Sequence, residues 1–309
     1  MSKSLEILST VLPVILVLAL GMLCRRKQIL SREGINSIKN LVVNITLPAV
    51  LLGAFATTPY KLKELILPVM MFIVCIAAWY LGRVLQKRLN MDSVYVPYIT
   101  TGFEAGMLGY ALYTMLRGDG GVAEFAKIDL GQVLFVFTMY KFMLGMESGK
   151  KTDSKKLIKE MITSPIIAAV VAGLIIGSTG IYNALIPSGA AQVFDKCVDF
   201  VSGPTGALIL LTIGYDLVLK DVVWKDTLKI VGLRFAIMMV LMAISIIIVK
   251  LVFPGSSYGV ALAVMFILPP PFVLQVFADD ESQRAYISSA LSVSTLLSII
   301  GFAVLAVIV

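Results

Sequence analysis

The sequence predicts an all-α integral membrane protein: ten transmembrane helices arranged as a 5+5 inverted repeat, with broken, crossed helices in spans 4 and 9. Three observations carry that prediction. The 309-residue chain is 59% hydrophobic and only 15% charged, with a mean hydropathy of +0.94; soluble domains carry about a quarter charged residues. Ten mostly apolar stretches follow one another, each near the ~20 residues a helix needs to cross a bilayer. The fourth stretch holds a cluster of glycines and the ninth three consecutive prolines. A single soluble core could not bury this much apolar surface and still cover itself with polar groups. The runs are continuous rather than alternating, which excludes the strands of a barrel.

The stretches lie near 5–23, 37–57, 64–84, 93–116, 122–146, 161–181, 192–217, 227–252, 257–279 and 284–309. The first follows Lys3 and could pass for a signal peptide. Arg25, Arg26 and Lys27 come directly after it, as at a stop-transfer flank, and Leu23 stands before Cys24 where a lipoprotein site wants a small residue. It is therefore read as a true span. The longest loop, 147–160, divides the chain into repeats 1–146 and 161–309.

The net charge of +7 is a topology signal. Loops after spans 1, 3, 5, 7 and 9 carry 17 of the 26 Lys and Arg residues, and the opposite side carries 6. The positive-inside rule puts the 17-charge side in the cytoplasm and both termini outside, in the plasma (inner) membrane. Nucleic acid is not needed to explain the basic balance. Histidine is absent, which excludes Ser-His-Asp hydrolysis, HExxH zinc chemistry and a histidine proton relay. Cys24, Cys75 and Cys197 are far apart and form no CxxC. No GxxxxGK[ST] phosphate loop is present. The chain is read as neither an enzyme nor an ATP-driven pump, with no cofactor and no metal.

Five spans per half is an odd number, so two copies would lie with opposite orientation. Matching punctuation supports a duplication: Pro13 with Pro165, Pro48 in NITLPAVLLGAF with Pro204 in DFVSGPTGALIL, and Tyr95 with Tyr258. Pro269, Pro270 and Pro271 cannot continue an α-helix, because each lacks a donor and clashes one turn back. Gly102, Gly106 and Gly109 in span 4 could serve close helix packing; paired with the span 9 prolines, they are read as a second break. Unwound backbone at bilayer depth survives only where it lines a cavity or is buried in protein, and paired breaks in corresponding spans point to a transporter's substrate site. New half-helices are expected from about Met107 and Phe272, with free N–H groups that suit a carboxylate.

Glu104 lies inside the span 4 break, where a carboxylate must be paired, hydrated or protonated. It is read as the substrate-proximal, ion-coupling acid, with a fixed structural partner as the alternative. Asp129 in span 5 is a second ion-coupling candidate or a hydrated cavity residue. Arg234 in span 8 could pair with a carboxylate. Asn44 and Thr46, just before Pro48, and Gln275 are candidate cavity residues. Lys141 is expected to snorkel, and Asp199 and Asp216 to be interfacial. Ser288, Ser292 and Thr295 share one face of span 10, for helix packing or a hydroxyl cation site.

The prolines within NITLPAV and LPPPFVLQVFADDESQRAYISSALSVSTLLSII, with the glycine-rich span 4, resemble the auxin efflux carrier family, which includes plant PIN carriers and bacterial permeases for small carboxylates. The resemblance runs over the whole chain and is most specific at 268–300. It implies a five-plus-five inverted repeat of the kind found in sodium/bile-acid symporters and sodium–proton antiporters. A scaffold (about 1–57 and 161–217) and a transport part (about 64–146 and 227–309) would move by an elevator mechanism, often as a homodimer. Relatives commonly carry an amide at the span 4 crossover where this chain has Glu104.

The function expected is secondary transport of a small organic anion, auxin-like or a mono- or dicarboxylate, coupled to H⁺ or Na⁺ through Glu104. The alternative is a cation:proton antiporter or cation-coupled carrier of the same architecture. Tyr215-Asp216 resembles half of an intramembrane aspartyl protease pairing, but no GxGD accompanies it. No ring of pore charges or filter loop suggests a channel.

Overall fold

The computed structural model describes residues 3–58, 61–118, 121–147, 159, 163–217, 224–274 and 281–309. Among these residues every element is helical: α1 (Lys3–Arg26), α2 (Arg32–Leu41), α3 (Leu47–Ala56), α4 (Ile66–Arg88), α5 (Val96–Ile99), α6 (Tyr110–Arg117), α7 (Val122–Phe135), α8 (Lys141–Glu147), α9 (Pro165–Thr179), α10 (Ile181–Leu185), α11 (Ala190–Ser202), α12 (Thr205–Asp216), α13 (Trp224–Val252), α14 (Tyr258–Ile267) and α15 (Glu281–Ile308). The segments Arg32–Ala56, Leu62–Arg88, Ala190–Asp216, Trp224–Val252 and Ala285–Ile308 are each long and apolar enough to cross a membrane, and Pro165–Thr179 and Tyr258–Ile267 are shorter apolar helices. Of the linker 147–160, only Glu147 and Lys159 lie among the described residues.

The distribution of polarity is inverted relative to a soluble protein. Leu251 and Phe200 are 79% and 88% exposed, whereas Asp129 and Arg234 are 1% and 4% exposed. Apolar side chains facing outward and charged ones facing inward fit lipid as the surrounding medium.

The helices pack in two groups. In one, α1 lies along α12, and α3 lies against α9 and α11. Gly21 and Gly214 make the first crossing close: a Cβ on Gly21 would stand 2.2 Å from the Leu211 carbonyl oxygen, and one on Gly214 would stand 2.1 Å from that of Leu18. Small residues let backbones approach when lipid gives no hydrophobic drive between helices. In the other group, α4 packs on α5, α7 and α13, while α14 packs on α7, α13 and α15. The groups meet where α12 touches α6 and where α1 touches α15.

Pro48 shapes the helix of span 2. It has no N–H and crowds the carbonyl one turn back, and the helix widens into a π turn over Val42–Thr46, with Leu47 N–H reaching back to Val42. A π bulge is a common way to absorb such a defect.

Polar contacts gather the element ends into two sets. Arg25 at the end of α1 donates to the Tyr215 and Leu217 carbonyls at the end of α12, and Lys229 of α13 donates to the Leu89 carbonyl after α4. Ser93, before α5, donates to Gln283 of α15. At the other set, Lys127 of α7 pairs with Glu64 ahead of α4 at 2.8 Å, and Tyr258 at the start of α14 donates to the same carboxylate.

Candidate functional site

The two interrupted segments meet inside the second group. α5 ends at Ile99 and helix resumes in a π turn over Ala105–Gly109 that runs into α6. The restart begins two residues earlier than Met107, the residue expected from sequence; Met107 lies within the turn. α14 ends at Ile267, and Leu268 turns to an extended conformation, φ −65° and ψ 151°. Pro269, Pro270 and Pro271 follow, all buried. Gly102 sits against Pro271 with φ +69°, and a Cβ there would meet the proline Cγ at 2.7 Å. Gly102 is thus required twice, by its left-handed backbone and by the proline ring.

Glu104 joins the two breaks. Its N–H donates to the Pro269 carbonyl at 2.9 Å, and its carboxylate Oε2 accepts from the Phe272 N–H. Its own carbonyl accepts from the Leu108 and Gly109 N–H groups, opening the restarted helix. The residue is 9% exposed. The sequence reading expected the N–H groups beyond the breaks to face an incoming anion. Instead, the Phe272 N–H already holds an internal one. The residues beyond Leu274, including Gln275, lie outside the described residues until Glu281.

Side chains from three other helices satisfy the carbonyls that the breaks set free. Arg234 of α13 donates to Ile99, Gly102 and Leu268 at 2.9, 2.8 and 3.0 Å. Tyr140, in the π turn Val136–Tyr140 after α7, donates to Tyr98 at 3.2 Å. Ser298 of α15 donates to Ile267 at 2.5 Å. Thr101 turns its hydroxyl to the Cys75 carbonyl at 2.6 Å. Orphaned backbone groups at bilayer depth cost several kcal/mol each, which accounts for polar residues in otherwise apolar helices. A carboxylate partner was one possibility for Arg234 from sequence; its partners are carbonyls, because α13 packs across the ends of both broken segments. Tyr140 and Ser298 went unnoticed in the sequence. The polar spacing in span 10 was a signal for Ser298, and none marked Tyr140.

The remaining candidates separate. Asp129 is buried, accepting from Tyr110 Oη and Gln132 Nε2, each at 3.0 Å. Both partners are neutral. The Gln132 Oε1 beside it is buried without a hydrogen-bond partner. Asn44 is exposed and donates to the Asn40 carbonyl of its own helix at 2.8 Å. Thr46 is buried with an unpartnered hydroxyl, and neighbouring Leu47 reaches Gly106, where a Cβ would meet its Cδ2 at 3.4 Å. The helix of span 2 thus lies against the restarted helix of span 4.

A cavity opens between the two helix groups, next to the break. Ile213, Asp216 and Leu217 line one side; Phe272, Leu291, Ser292 and Thr295 line the other. Asp216 is held by Arg32 at 2.5 Å and by Lys39. The Ser292 and Thr295 face singled out in the sequence therefore borders the same space as Phe272. Among the described residues no cluster of His, Cys, Asp and Glu could hold a metal ion.

Comparison with known proteins puts the chain among membrane transport proteins. Residues 6–306 match the family model described as "Membrane transport protein". The chain is 22% identical to the uncharacterized transporter YfdV of Escherichia coli K12 over 317 aligned positions, covering 96% of this chain and 94% of the relative. The YfdV proteins of Escherichia coli O157:H7 and Shigella flexneri match to the same extent. The match spans nearly the whole chain, so the protein belongs to this family of membrane transport proteins, the auxin efflux carrier family that its proline and glycine motifs resemble.

Proposed function

We propose that the protein is a secondary transporter of a small organic anion, auxin-like or a mono- or dicarboxylate, bound where the two broken segments cross. The observation that carries this reading is the bond from the Phe272 N–H to the Glu104 carboxylate. A backbone donor at the crossover is already used by a carboxylate, so the position has the chemistry to receive one. While Glu104 is ionised it competes with a substrate carboxylate for that donor. Neutralisation of Glu104 by H⁺ or Na⁺ releases the donor, and this is the coupling step. Asp129, buried among neutral partners, is the second ion-coupling group.

Movement follows an elevator scheme. The group built on α1, α3, α9, α11 and α12 is the scaffold, and the group built on α4–α8 and α13–α15 carries the crossover. The separate packing of these groups supports that division. The basic loops support both termini lying outside the plasma membrane, and the family resemblance supports a homodimer.

The test is uptake of a panel of radiolabelled carboxylates into proteoliposomes, with and without imposed H⁺ and Na⁺ gradients, for the wild type and Glu104→Gln. Uptake driven by a gradient in the wild type, and indifferent to it in the variant, is expected. Saturable uptake that ignores both gradients and the substitution would leave a uniporter with a structural Glu104. The internal carboxylate also suits a cation:proton antiporter. Cation-dependent proton movement without carboxylate flux would establish that reading instead.

A further inference from the structure

Arg234 is placed on neither broken segment, yet it touches both. Its guanidinium donates to carbonyls on the span 4 side, Ile99 and Gly102, and to Leu268 on the span 9 side. It is 4% exposed and also lies over the Phe103 ring, 5.6 Å from its centroid. Three carbonyl oxygens gathered round one guanidinium, from the ends of interrupted helices, are the type of ligand that coordinates Na⁺ in carriers with discontinuous helices. Here a guanidinium fills it. Arg keeps its charge at any physiological pH, and its planar fork presents five donors.

We infer that Arg234 is the resident cation of the crossover: it occupies the carbonyl cluster that would otherwise take a metal cation, and it locks the two broken segments in register. Arg234 is a positioning residue, since its partners are backbone atoms of the segments that hold the site. The consequence for transport rests on the proposed substrate site. With the carbonyls saturated, the carrier needs no Na⁺ there, and Glu104 is the group left to be neutralised.

The experiment compares wild type, Glu104→Gln, Arg234→Ala and Arg234→Lys. Carboxylate uptake is measured in Na⁺ and in choline, and apparent melting temperature in detergent is measured against Na⁺, guanidinium and choline. Glu104→Gln, which removes the proposed Na⁺-coupling carboxylate but keeps Arg234, is the reference and is expected to give equal uptake in Na⁺ and choline, and a melting temperature indifferent to all three. Arg234→Ala is expected to lose about tenfold or more of its uptake in choline, the equivalent of one charge-assisted hydrogen bond. Millimolar guanidinium or Na⁺ should restore part of the uptake and raise the melting temperature saturably, which a purely space-filling role would not produce. Arg234→Lys, which supplies the charge, is expected to keep uptake in choline. A saturable effect of Na⁺ on Glu104→Gln, in which Arg234 is intact, overturns the inference even if Arg234→Ala fails to fold. So does Arg234→Ala uptake in choline equal to wild type, or Arg234→Lys as inactive in choline as Arg234→Ala with neither variant answering to added cation. Absence of carboxylate flux in the wild type would defeat the substrate reading alone, because the melting response of Arg234→Ala still reports on the carbonyl site.

Discussion

Two glycines four residues apart show how differently one residue type can be constrained. Gly102 has φ +69°, and a Cβ would stand 2.7 Å from Pro271 Cγ. The proline ring is fixed within the break and cannot rotate aside. Gly102→Ala therefore combines left-handed strain with overlap, each about 1–3 kcal/mol. It is expected to lower the apparent melting temperature in detergent sharply and to abolish uptake. Gly106 has ordinary backbone, and its added Cβ would meet only the mobile end of Leu47 at 3.4 Å. Gly106→Ala is expected to change stability by no more than about 0.5 kcal/mol. Equal damage from the two substitutions would show that the geometry at the Gly102–Pro271 contact is not what holds the break. Glu104 is constrained in another way. Its backbone bonds to Pro269, Leu108 and Gly109 do not depend on its side chain. Glu104→Gln thus tests the carboxylate chemistry while leaving the backbone of the break in place.

A helix broken inside a membrane frees carbonyls that other helices must satisfy. Tyr140 and Ser298 do this for Tyr98 and Ile267 from two separate elements. Tyr140→Phe and Ser298→Ala each remove one donor and little volume. Each is expected to reduce stability by about 0.5–1.5 kcal/mol. Their effects should add within about 0.5 kcal/mol, because the two carbonyls lie on different broken segments. Melting curves of the two single variants and the double variant check this; strong non-additivity would mean that the two breaks behave as one unit. The breaks themselves were legible in the sequence. Three prolines act on their own backbone, and Glu104 stands out as a charge within an apolar run. What satisfies the breaks was not legible. Arg234 lies 135, 132 and 34 residues from its three acceptors, Tyr140 lies 42 residues from Tyr98 and Ser298 lies 31 from Ile267, and only the packing of whole helices brings them there. The same holds for Lys127 and Glu64, 63 residues apart. Asn44 depends on its own helix alone: it is exposed and bonded to the Asn40 carbonyl one turn back.

At the scale of the molecule, the cavity beside Phe272 divides cleanly between the two helix groups. Ile213, Asp216 and Leu217 belong to α12 and its end, while Leu291, Ser292 and Thr295 belong to α15. An elevator movement requires these two walls to slide past each other, whereas a carrier that opens only local gates can leave them fixed. Pinning the walls distinguishes the two. In a background with Cys24, Cys75 and Cys197 replaced, Ile213→Cys and Ser292→Cys place one thiol on each wall. Cross-linking them with a short bifunctional reagent is expected to abolish carboxylate uptake in proportion to the cross-linked fraction, with recovery when a cleavable linker is cut. A second pair, Gly53→Cys and Val198→Cys, lies within the proposed scaffold, where a Cβ on Gly53 would already touch Val198 Cγ1 at 2.6 Å. Linking that pair should leave uptake largely intact, because α3 and α11 are expected to move together. Full transport by protein linked between Ile213 and Ser292 would exclude sliding at this seam. Loss of transport from the Gly53–Val198 link would move the boundary between fixed and moving parts into the group assigned to the scaffold.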